Sequence, residues 1–455
     1  MDLREWLERL EETGRLAIAN PGAALRFEVA GIANRLDGRK ATLFPAPGGC
    51  DVPVVSGLIS DRAWMAESLG IAEEALIPAF RDAVANPIPS RPVEKAPCQE
   101  IVHDNPDLGQ LLPIPTHNEH DSGPYITAGL AIVRNPATGI QNVAIHRLQL
   151  SGPKELGALL LPRHTLAFFE PLEKEGHGLD IAIVVGTSPA TLLASQAIVP
   201  VNFDELEIAG ALGGAALEVV KCLDSDIHVP AAAEIVIEGK IVPNERALEG
   251  PFGEFPQYYG ARAERHIIRV SKVTQRKNAI YHTIVGGGLE HLLLGAIPRE
   301  ATILTTLQRS FSCVVNVHLS MGGTCRYHLV VHVRDPNPGE VKNVILAALG
   351  AHYDIKRVVV VDEDVDMHDP VKVEWAIATR FQAHSDLVVV HGAQGSKLDP
   401  SADNGISSKL GLDATVPAGS PGFKFTTIRV PGEPEIDLDT KIDANGKLER
   451  VLRRK

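Results

Sequence analysis

The chain has 455 residues, 44% hydrophobic and 22% charged, which leaves room for roughly two to four domains around a large buried core. Its 57 acidic residues outnumber its 44 Lys and Arg, for a formal net charge of −13. That balance argues against a nucleic-acid partner, despite Arg450, Arg453, Arg454 and Lys455 near the C-terminal end. Cys50, Cys98, Cys222, Cys313 and Cys325 are odd in number and scattered, the pattern of buried free thiols in a reducing compartment. No stretch approaches the ~18 uninterrupted apolar residues of a membrane span, and the start of the chain does not read as a signal peptide. A cytoplasmic protein without a membrane partner is expected.

A helix is predicted over 2–13, with Leu3, Trp6, Leu7 and Leu10 on one face, Asp2 and Glu5 as its cap and Gly14 as its stop. A second helical pattern covers 61–76, so residues 1–100 are expected to form a small mixed α/β domain. Pro87, Pro89, Pro92 and Pro97 then mark an irregular crossing. The middle, 101–297, is strand-rich: 126–134, 142–150, 181–186, 217–222, 234–241, 266–273 and 280–285 are apolar, β-prone runs separated by turn residues. They suggest a barrel or closed sheet, interrupted by a helix at 189–196. A linker helix is expected at 298–315. A strand, helix, strand, helix, strand order follows at 327–333, 339–349, 356–362, 370–381 and 386–391, which predicts a parallel sheet in a domain over 316–430. Residues 392–422 read as a long polar loop, and the end, 431–455, as a tail closing in a charged helix.

The segment that organises the chemistry is Glu249-Gly-Pro-Phe-Gly-Glu254, followed by Phe255, Tyr258 and Tyr259. Pro251 stiffens it, while Gly250 and Gly253 let it bend and let a flat ligand approach its backbone. A carboxyl among aromatics is partly desolvated, which favours its neutral, proton-donating form. Two carboxyls in different surroundings can therefore divide acid and base work. The plainer alternative is a surface loop with two solvated Glu.

Asn142-Val-Ala-Ile-His-Arg147 has strand periodicity, so Asn142, Ala144 and His146 point one way and Val143, Ile145 and Arg147 the other. A cation pointing inward from an apolar strand needs a carboxylate or an anionic ligand. Glu249 and Glu254 are the candidates, and an edge-strand Arg snorkelling to water is the alternative. Asn142, His164 of Arg163-His164, and either Glu205 or Glu207 would make an oxygen and nitrogen site for Mn²⁺ or Mg²⁺, although the spacings match no recognised metal signature. Lys409, beside Gly411, could reach a phosphate, yet no Walker motif is present. Gly286-Gly-Gly288 marks a bend where backbone meets a ligand or another segment. Asp362, Asp364 and Asp366 end a predicted strand and read as a metal site or a solvated turn. His291, Arg299 and Arg326 are cations in apolar company, able to bind a substrate carboxylate or to pair with Glu290 and Glu300.

Together these pieces resemble the UbiD family of reversible decarboxylases, which use prenylated FMN. The resemblance runs from about residue 100 to Thr415 and rests on six motifs in the family's order: Asn142-x4-Arg147, Arg163-His164, Glu205-Leu-Glu-Ile-Ala-Gly210, Glu249-Gly-Pro-Phe-Gly-Glu254, Trp375-Ala-Ile-Ala-Thr-Arg380 and Ser408-Lys409-Leu-Gly-Leu-Asp413-Ala-Thr415. It implies an α/β fold with a central flavin-binding split β-barrel, an N-terminal α/β domain, and a C-terminal α/β domain whose last helix helps form a homodimer or larger homo-oligomer. It implies a catalytic set of Arg147, Glu249 and Glu254. Asn142, His164 and Glu205 would hold Mn²⁺ or Mg²⁺, with Glu205 preferred over Glu207. A K⁺ ion would lie beside that metal, near Thr127 and Ser195. Ile145, His146, Arg147, Arg163 and Lys409 would contact the flavin.

Such chemistry needs a cofactor, because CO₂ leaving an unsaturated carbon leaves a carbanion that no side chain stabilises. Arg147 would orient the carboxylate, paired with Glu249, and Glu254 would return the proton. A flavin prenyltransferase would supply the cofactor. His291, Arg299 and Arg326 look like those of members that handle furan or pyrrole carboxylates, with furan-2,5-dicarboxylate a candidate substrate. The competing readings are a non-catalytic flavin- or metal-binding subunit and a metal-dependent hydrolase built on Asn142, His164 and Glu205.

Overall fold

The computed structural model describes residues 1–201, 203–444 and 446–448. Residues Met1–Ala414 form one compact unit and a second begins at Thr415.

The first helix, Leu3–Glu12, forms as its sequence predicts: Asp2 and Glu5 close a reciprocal capping box, and Leu3, Trp6, Leu7 and Leu10 are buried. Trp6 donates its indole N–H to the Leu58 carbonyl at 2.9 Å, so the ring is buried with its polar atom satisfied. The predicted 61–76 helix is broken into Arg62–Ser68, a 3₁₀ turn at Glu73–Ala75, and a separate helix, Leu76–Ala85. A four-stranded sheet runs Leu16–Ile18, Ala41–Phe44, Val54–Ser56 and Tyr281–His282. Its last member corrects the expectation for 280–285. That run is only two residues of strand, and it pairs in parallel with Val54–Ser56 of the N-terminal sheet rather than joining the barrel.

The central sheet has nine strands, dominated by the antiparallel pair Ile235–Glu249 and Ala263–Gln275. Both run well past their predicted ends, through register shifts at Glu238/Gly239 and Ile241/Arg246. The predicted 142–150 strand is two strands, Gln141–Ile145 and Leu148–Gly152. The first is the terminal strand at one end of the sheet, beside Leu130–Arg134. The second lies near the other end, between Tyr125–Ile126 and Glu155–Ala158. Only His146 and Arg147 separate them, a reach of roughly 10 Å. The sheet must therefore curl until its ends nearly meet, as a split barrel with Arg147 at the seam. The 217–222 run lies outside this sheet, as Glu218–Lys221 in a three-stranded sheet with Arg91–Val93 and His228–Pro230.

The expected linker helix starts earlier than predicted. It spans Leu289–Gln308 with Pro298 inside it, beginning directly after Gly288. Beyond it, a five-stranded sheet runs Val314–Leu319, His328–Val333, Arg357–Asp362, Ile406–Asp413 and Leu387–Gln394. Two predictions are corrected here. The third parallel strand is Ile406–Asp413, inside the supposed polar loop, and Leu387–Gln394 is an antiparallel edge strand. The acidic strand end is structural: Arg380, 1% exposed in its side chain, pairs with Asp362 and Asp364. In the second unit the short helix Leu438–Lys441 is capped by Asp437. The rest of the charged helix expected at the C-terminus extends into 449–455, outside the described residues.

Glu300 ties the three sequence regions together. It is fully buried in the long helix and accepts from Arg62 at 2.7 Å and from the Leu319 amide at 2.7 Å, with His318 Nδ1 3.1 Å away. Burial alone would raise its proton affinity. The Arg62 guanidinium, His318 and the Leu319 N–H overcome that and bring it down to about 2 from an ordinary 4.5. A carboxylate depressed in this way stabilises the fold fully above pH 4.5, and that contribution is lost as pH falls towards 2. Glu300→Gln is expected to destabilise the protein by about 3–5 kcal/mol at neutral pH, because it leaves Arg62 buried without its counter-charge. Denaturant unfolding of the two proteins should show that gap narrowing as the pH is lowered through this window.

Candidate active site

At the seam, Arg147 reaches back across the half-barrel to the end of strand Ile235–Glu249. Its Nη2 donates to Glu249 Oε2 at 2.8 Å, and its Nη1 donates to Glu254 Oε1. The three side chains are 9%, 0% and 11% exposed, so this is an ion-pair set almost wholly removed from water. The other oxygen of Glu249 accepts from the Tyr125 hydroxyl at 3.0 Å, and the guanidinium lies 5.5 Å from the Phe252 ring centroid. The Arg147 Nε–H is buried and has no protein partner.

One guanidinium facing two buried carboxylates is balanced when one carboxyl carries a proton. Glu254 is the member so placed. Burial raises its proton affinity, Arg147 opposes that rise, and the neighbouring charges of Glu249 and Asp121 add to it. Its loop is pinned by Asp121, which accepts from the Gly253 and Asn118 amides at 2.8 Å each. The Gly286-Gly-Gly288 bend packs against the same loop. A Cβ on Gly286 would lie 2.5 Å from the Gly253 carbonyl oxygen, so only glycine permits this approach.

On the opposite face of strand Gln141–Ile145, Asn142 Oδ1 lies 2.9 Å from His164 Nδ1, at the start of helix His164–Lys174. Glu205, in the first turn of helix Glu205–Leu212, accepts from the Val143 amide at 2.7 Å. Asn142, His164 and Glu205 are thus gathered around one strand end, whereas Glu207 is only half-buried and points elsewhere on the helix turn. Burial pushes Glu205 up to about 8, against the pull of the Val143 amide. A buried carboxylate on the Val143 amide, with no cationic side chain bonded to it among the described residues, and an imidazole paired with an amide oxygen at the neighbouring Asn142 are donors that suit a divalent cation. His146 shares that face, its Nε2 3.3 Å from the Thr165 hydroxyl that also receives the Asn142 amide.

A third cluster is cationic. Arg326, 5% exposed, donates to the Leu292 and Cys325 carbonyls, and to no carboxylate among the described residues, and lies 5.2 Å from the Phe255 ring centroid. Burial and then the Arg299 charge lower its affinity for the proton to about 9. Arg299 donates to the Gly295 carbonyl at 2.7 Å and has Asp354 4.0 Å away. His291 accepts from the Gly287 amide at 3.2 Å and is pushed down to about 3 by burial, Arg326 and Arg299, so it is neutral. The alternative of pairing with neighbouring carboxylates holds only for Asp354 beside Arg299 among the described residues: Glu290 engages His282 and the Gly57 amide, and Glu300 engages Arg62 and His318. Arg163 donates to the Tyr353 hydroxyl at 2.8 Å. Lys409 lies on strand Ile406–Asp413 rather than in a loop, and donates to the Leu349 and Tyr353 carbonyls at 3.0 Å each. The buried charges of Arg326, Arg299 and Lys409, with the exposed Arg163 beside them, fit an anionic ligand.

Thr127 shares a 3.0 Å hydrogen bond with Thr283 and accepts from the Ile284 amide, while Ser195 donates to the Leu192 carbonyl at 2.7 Å. Sequence reasoning missed Tyr125, Asp121, Tyr353 and Asp354. The Asp121 turn had a local signal in Asn118-Glu-His-Asp121, an Asx-type pattern; the other three act only through distant contacts.

The comparisons identify the family and the fold. Residues 7–84, 91–289 and 292–414 match the N-terminal, Rift-related and C-terminal domains of 3-octaprenyl-4-hydroxybenzoate carboxy-lyase, the UbiD family. An anhydromevalonate phosphate decarboxylase of Methanothermobacter thermautotrophicus is 38% identical over 92% of this chain and 97% of its own. The UbiD-class enzyme HmfF from Pelotomaculum thermopropionicum, solved in complex with FMN, superimposes with a TM-score of 0.95 at 47% identity, covering 97% of this chain and all of its own. An evolved dimeric form of HmfF, in complex with prFMN, gives 0.91 at 44%, covering 97% of this chain and 100% of its own.

The cationic cluster depends on one missing side chain. A Cβ on Gly295 would stand 1.6 Å from Arg326 Nη2. Gly295→Ala should therefore displace the Arg326 guanidinium at an overpacking cost of about 1–3 kcal/mol. A crystal structure and a melting curve of the variant check both, and an unmoved Arg326 would contradict the packing described.

Proposed function

The chain belongs to the UbiD family of decarboxylases, and we propose that it is a reversible, non-oxidative decarboxylase of an aromatic, heteroaromatic or α,β-unsaturated carboxylic acid, with prenylated FMN as cofactor. The observation that carries the reading is Arg147 bonded at once to Glu249 and Glu254 in a buried site. When bound, prenylated FMN supplies the electron sink for the carbanion left when CO₂ departs. Asn142, His164 and Glu205 would hold Mn²⁺ or Mg²⁺, which would supply positive charge for the anionic cofactor, and Ile145, His146, Arg163 and Lys409 would line the cofactor's site. The reading extends to K⁺ beside the divalent ion, for which the Thr127 and Ser195 hydroxyls would turn from their present partners. A flavin prenyltransferase would supply the cofactor, and the protein would act as a homodimer or larger homo-oligomer.

In this reading Arg147 orients the substrate carboxylate and Glu249, fully buried and bonded to Tyr125, fixes Arg147. Glu254 holds the proton that replaces CO₂ on carbon. Its raised affinity keeps it in the donor form at higher pH than a free Glu. The rate constant kcat should therefore fall as pH rises through the Glu254 titration. Glu254→Gln should abolish turnover, a loss of at least about 100-fold, while the flavin absorption of the holoenzyme stays as in wild type. Wild-type turnover in that variant would refute the role.

The Arg299 and Arg326 cluster favours a substrate with a second anionic group, since either cation pairs with it at little added desolvation. Furan-2,5-dicarboxylate is the first candidate, with pyrrole-2-carboxylate, which lacks that second group, as the comparison. A second reading is an unsaturated acid bearing a phosphate. The anhydromevalonate phosphate decarboxylases favour it, and a phosphate suits two guanidiniums equally well. CO₂ release from a panel of these acids, with a hydroxybenzoate and a cinnamate as controls, separates the two. Glu205→Ala should lose divalent metal and flavin together, measured by metal analysis and absorbance of protein made alongside a flavin prenyltransferase. Retention of both would move the ligand to Glu207. A colourless, metal-loaded wild type without CO₂ release would favour the hydrolase.

A further inference from the structure

Every decarboxylation of the proposed kind takes one proton from solvent. The bond to the carboxylate carbon breaks, its electron pair stays on the substrate carbon, and the Glu254 proton forms the new C–H bond, leaving Glu254 as a carboxylate. Before the next turnover that carboxylate must be reprotonated. Glu249 is fully buried and Arg147 keeps its protons. While substrate or product is bound it would cover the reacting face of Glu254, and a proton arriving then must come from another side.

A cavity of about 320 Å³ lies between the N-terminal helix Glu28–Leu36 and the Glu254 loop, and Glu254 forms part of its wall. Its rim is exposed at Gly31, Asn34 and Tyr258, the last 60% exposed, so the cavity opens to solvent. Its buried end is His117, 5% exposed. The His117 Nε2 is 2.7 Å from the Thr283 hydroxyl, which continues to Thr127 at 3.0 Å, while Nδ1 is buried and has no protein partner. Burial pushes this imidazole down to about 4, so it is neutral and offers one N–H and one lone pair. An orphaned ring nitrogen in a polar, roomy cavity is where ordered water is expected, and the volume admits several molecules. The charged groups facing Glu254 are Arg147 from the seam, Glu249 from the strand end and Asp121 from the turn beneath; no other ion pair to Glu254 occurs among the described residues.

We propose that this cavity is the proton inlet of the site: water within it, anchored on His117, returns a solvent proton to Glu254 after each turnover. The inference rests on the decarboxylase reading. It makes His117 a positioning residue, acting on Glu254 through water, and gives the N-terminal helix a part in the reaction.

Gly31→Phe tests it away from the catalytic residues. A Cβ there meets nothing within 4 Å and Gly31 lies within a helix, so the substitution is tolerated by the fold and occludes the cavity. With a substrate that wild type decarboxylates, kcat should fall about tenfold, with KM and flavin absorption unchanged and a larger solvent deuterium isotope effect. His117→Leu should act in the same direction and His117→Gln should recover part of the loss, which keeps the test decisive if Gly31→Phe does not fold. A second readout needs no turnover: the protonated-carboxyl infrared band of Glu254, identified by its loss in Glu254→Gln, should exchange with D₂O more slowly in the occluded variant. Unchanged kcat and unchanged exchange in Gly31→Phe, or in His117→Leu, would overturn the inlet. Wild-type protein that releases no CO₂ from any acid would instead overturn the decarboxylase reading, with the infrared exchange still deciding the inlet.

Discussion

The site depends on one guanidinium held between two carboxylates out of water. Arg147 can occupy that position only because the central sheet curls until strands Gln141–Ile145 and Leu148–Gly152, adjacent in sequence, close its two ends. Burying three ionisable groups is costly unless their charges balance and their hydrogen bonds are made. Tyr125 completes Glu249, and the raised proton affinity of Glu254 favours the neutral form that would balance the set. In the proposed reading the electrostatic requirement of the buried set and the chemical requirement of an acid coincide.

The same strand end organises the rest of the site. Alternation along Gln141–Ile145 sends Asn142 towards His164, the Val143 amide of the same strand holds Glu205, and the seam beyond sends Arg147 towards Glu249 and Glu254. The proposed metal and the proposed proton donor are therefore positioned by one short segment, and displacing that segment would disturb both. The cationic cluster of Arg299 and Arg326 lies on and beside the long helix, with the Arg326 guanidinium over the ring of Phe255, next to Glu254. In the proposed reading it is where substrates of different charge would be told apart, and the relatives include decarboxylases of differently named acids.

Much of this was legible in the residues themselves. The first helix is locally determined by its cap and its apolar stripe, and it forms as read. The face alternation of Asn142 and His146 is a strand property and survives in their shared contact with Thr165. Pairing partners were not legible. Tyr281–His282 joins Val54–Val55, far away in sequence, and nothing near 281 encodes that choice. The direction of Leu387–Gln394 is set by the turn at 395–405 that returns the chain into Ile406–Asp413, and those polar residues read as loop. Glu254, Arg147 and Glu249 could be named as candidates from composition and order. That one Arg reaches both carboxylates depends on the barrel seam, which a strand prediction running unbroken through 142–150 conceals.

The most direct measurement is a single turnover in D₂O of holoenzyme made alongside a flavin prenyltransferase, with released CO₂ and product mass determined together. The account predicts one CO₂ per acid consumed and one deuteron on the carbon that carried it, with both lost when Arg147 is replaced by Met in a protein that still binds the flavin. CO₂ release that persists in the Arg147→Met holoenzyme would contradict it.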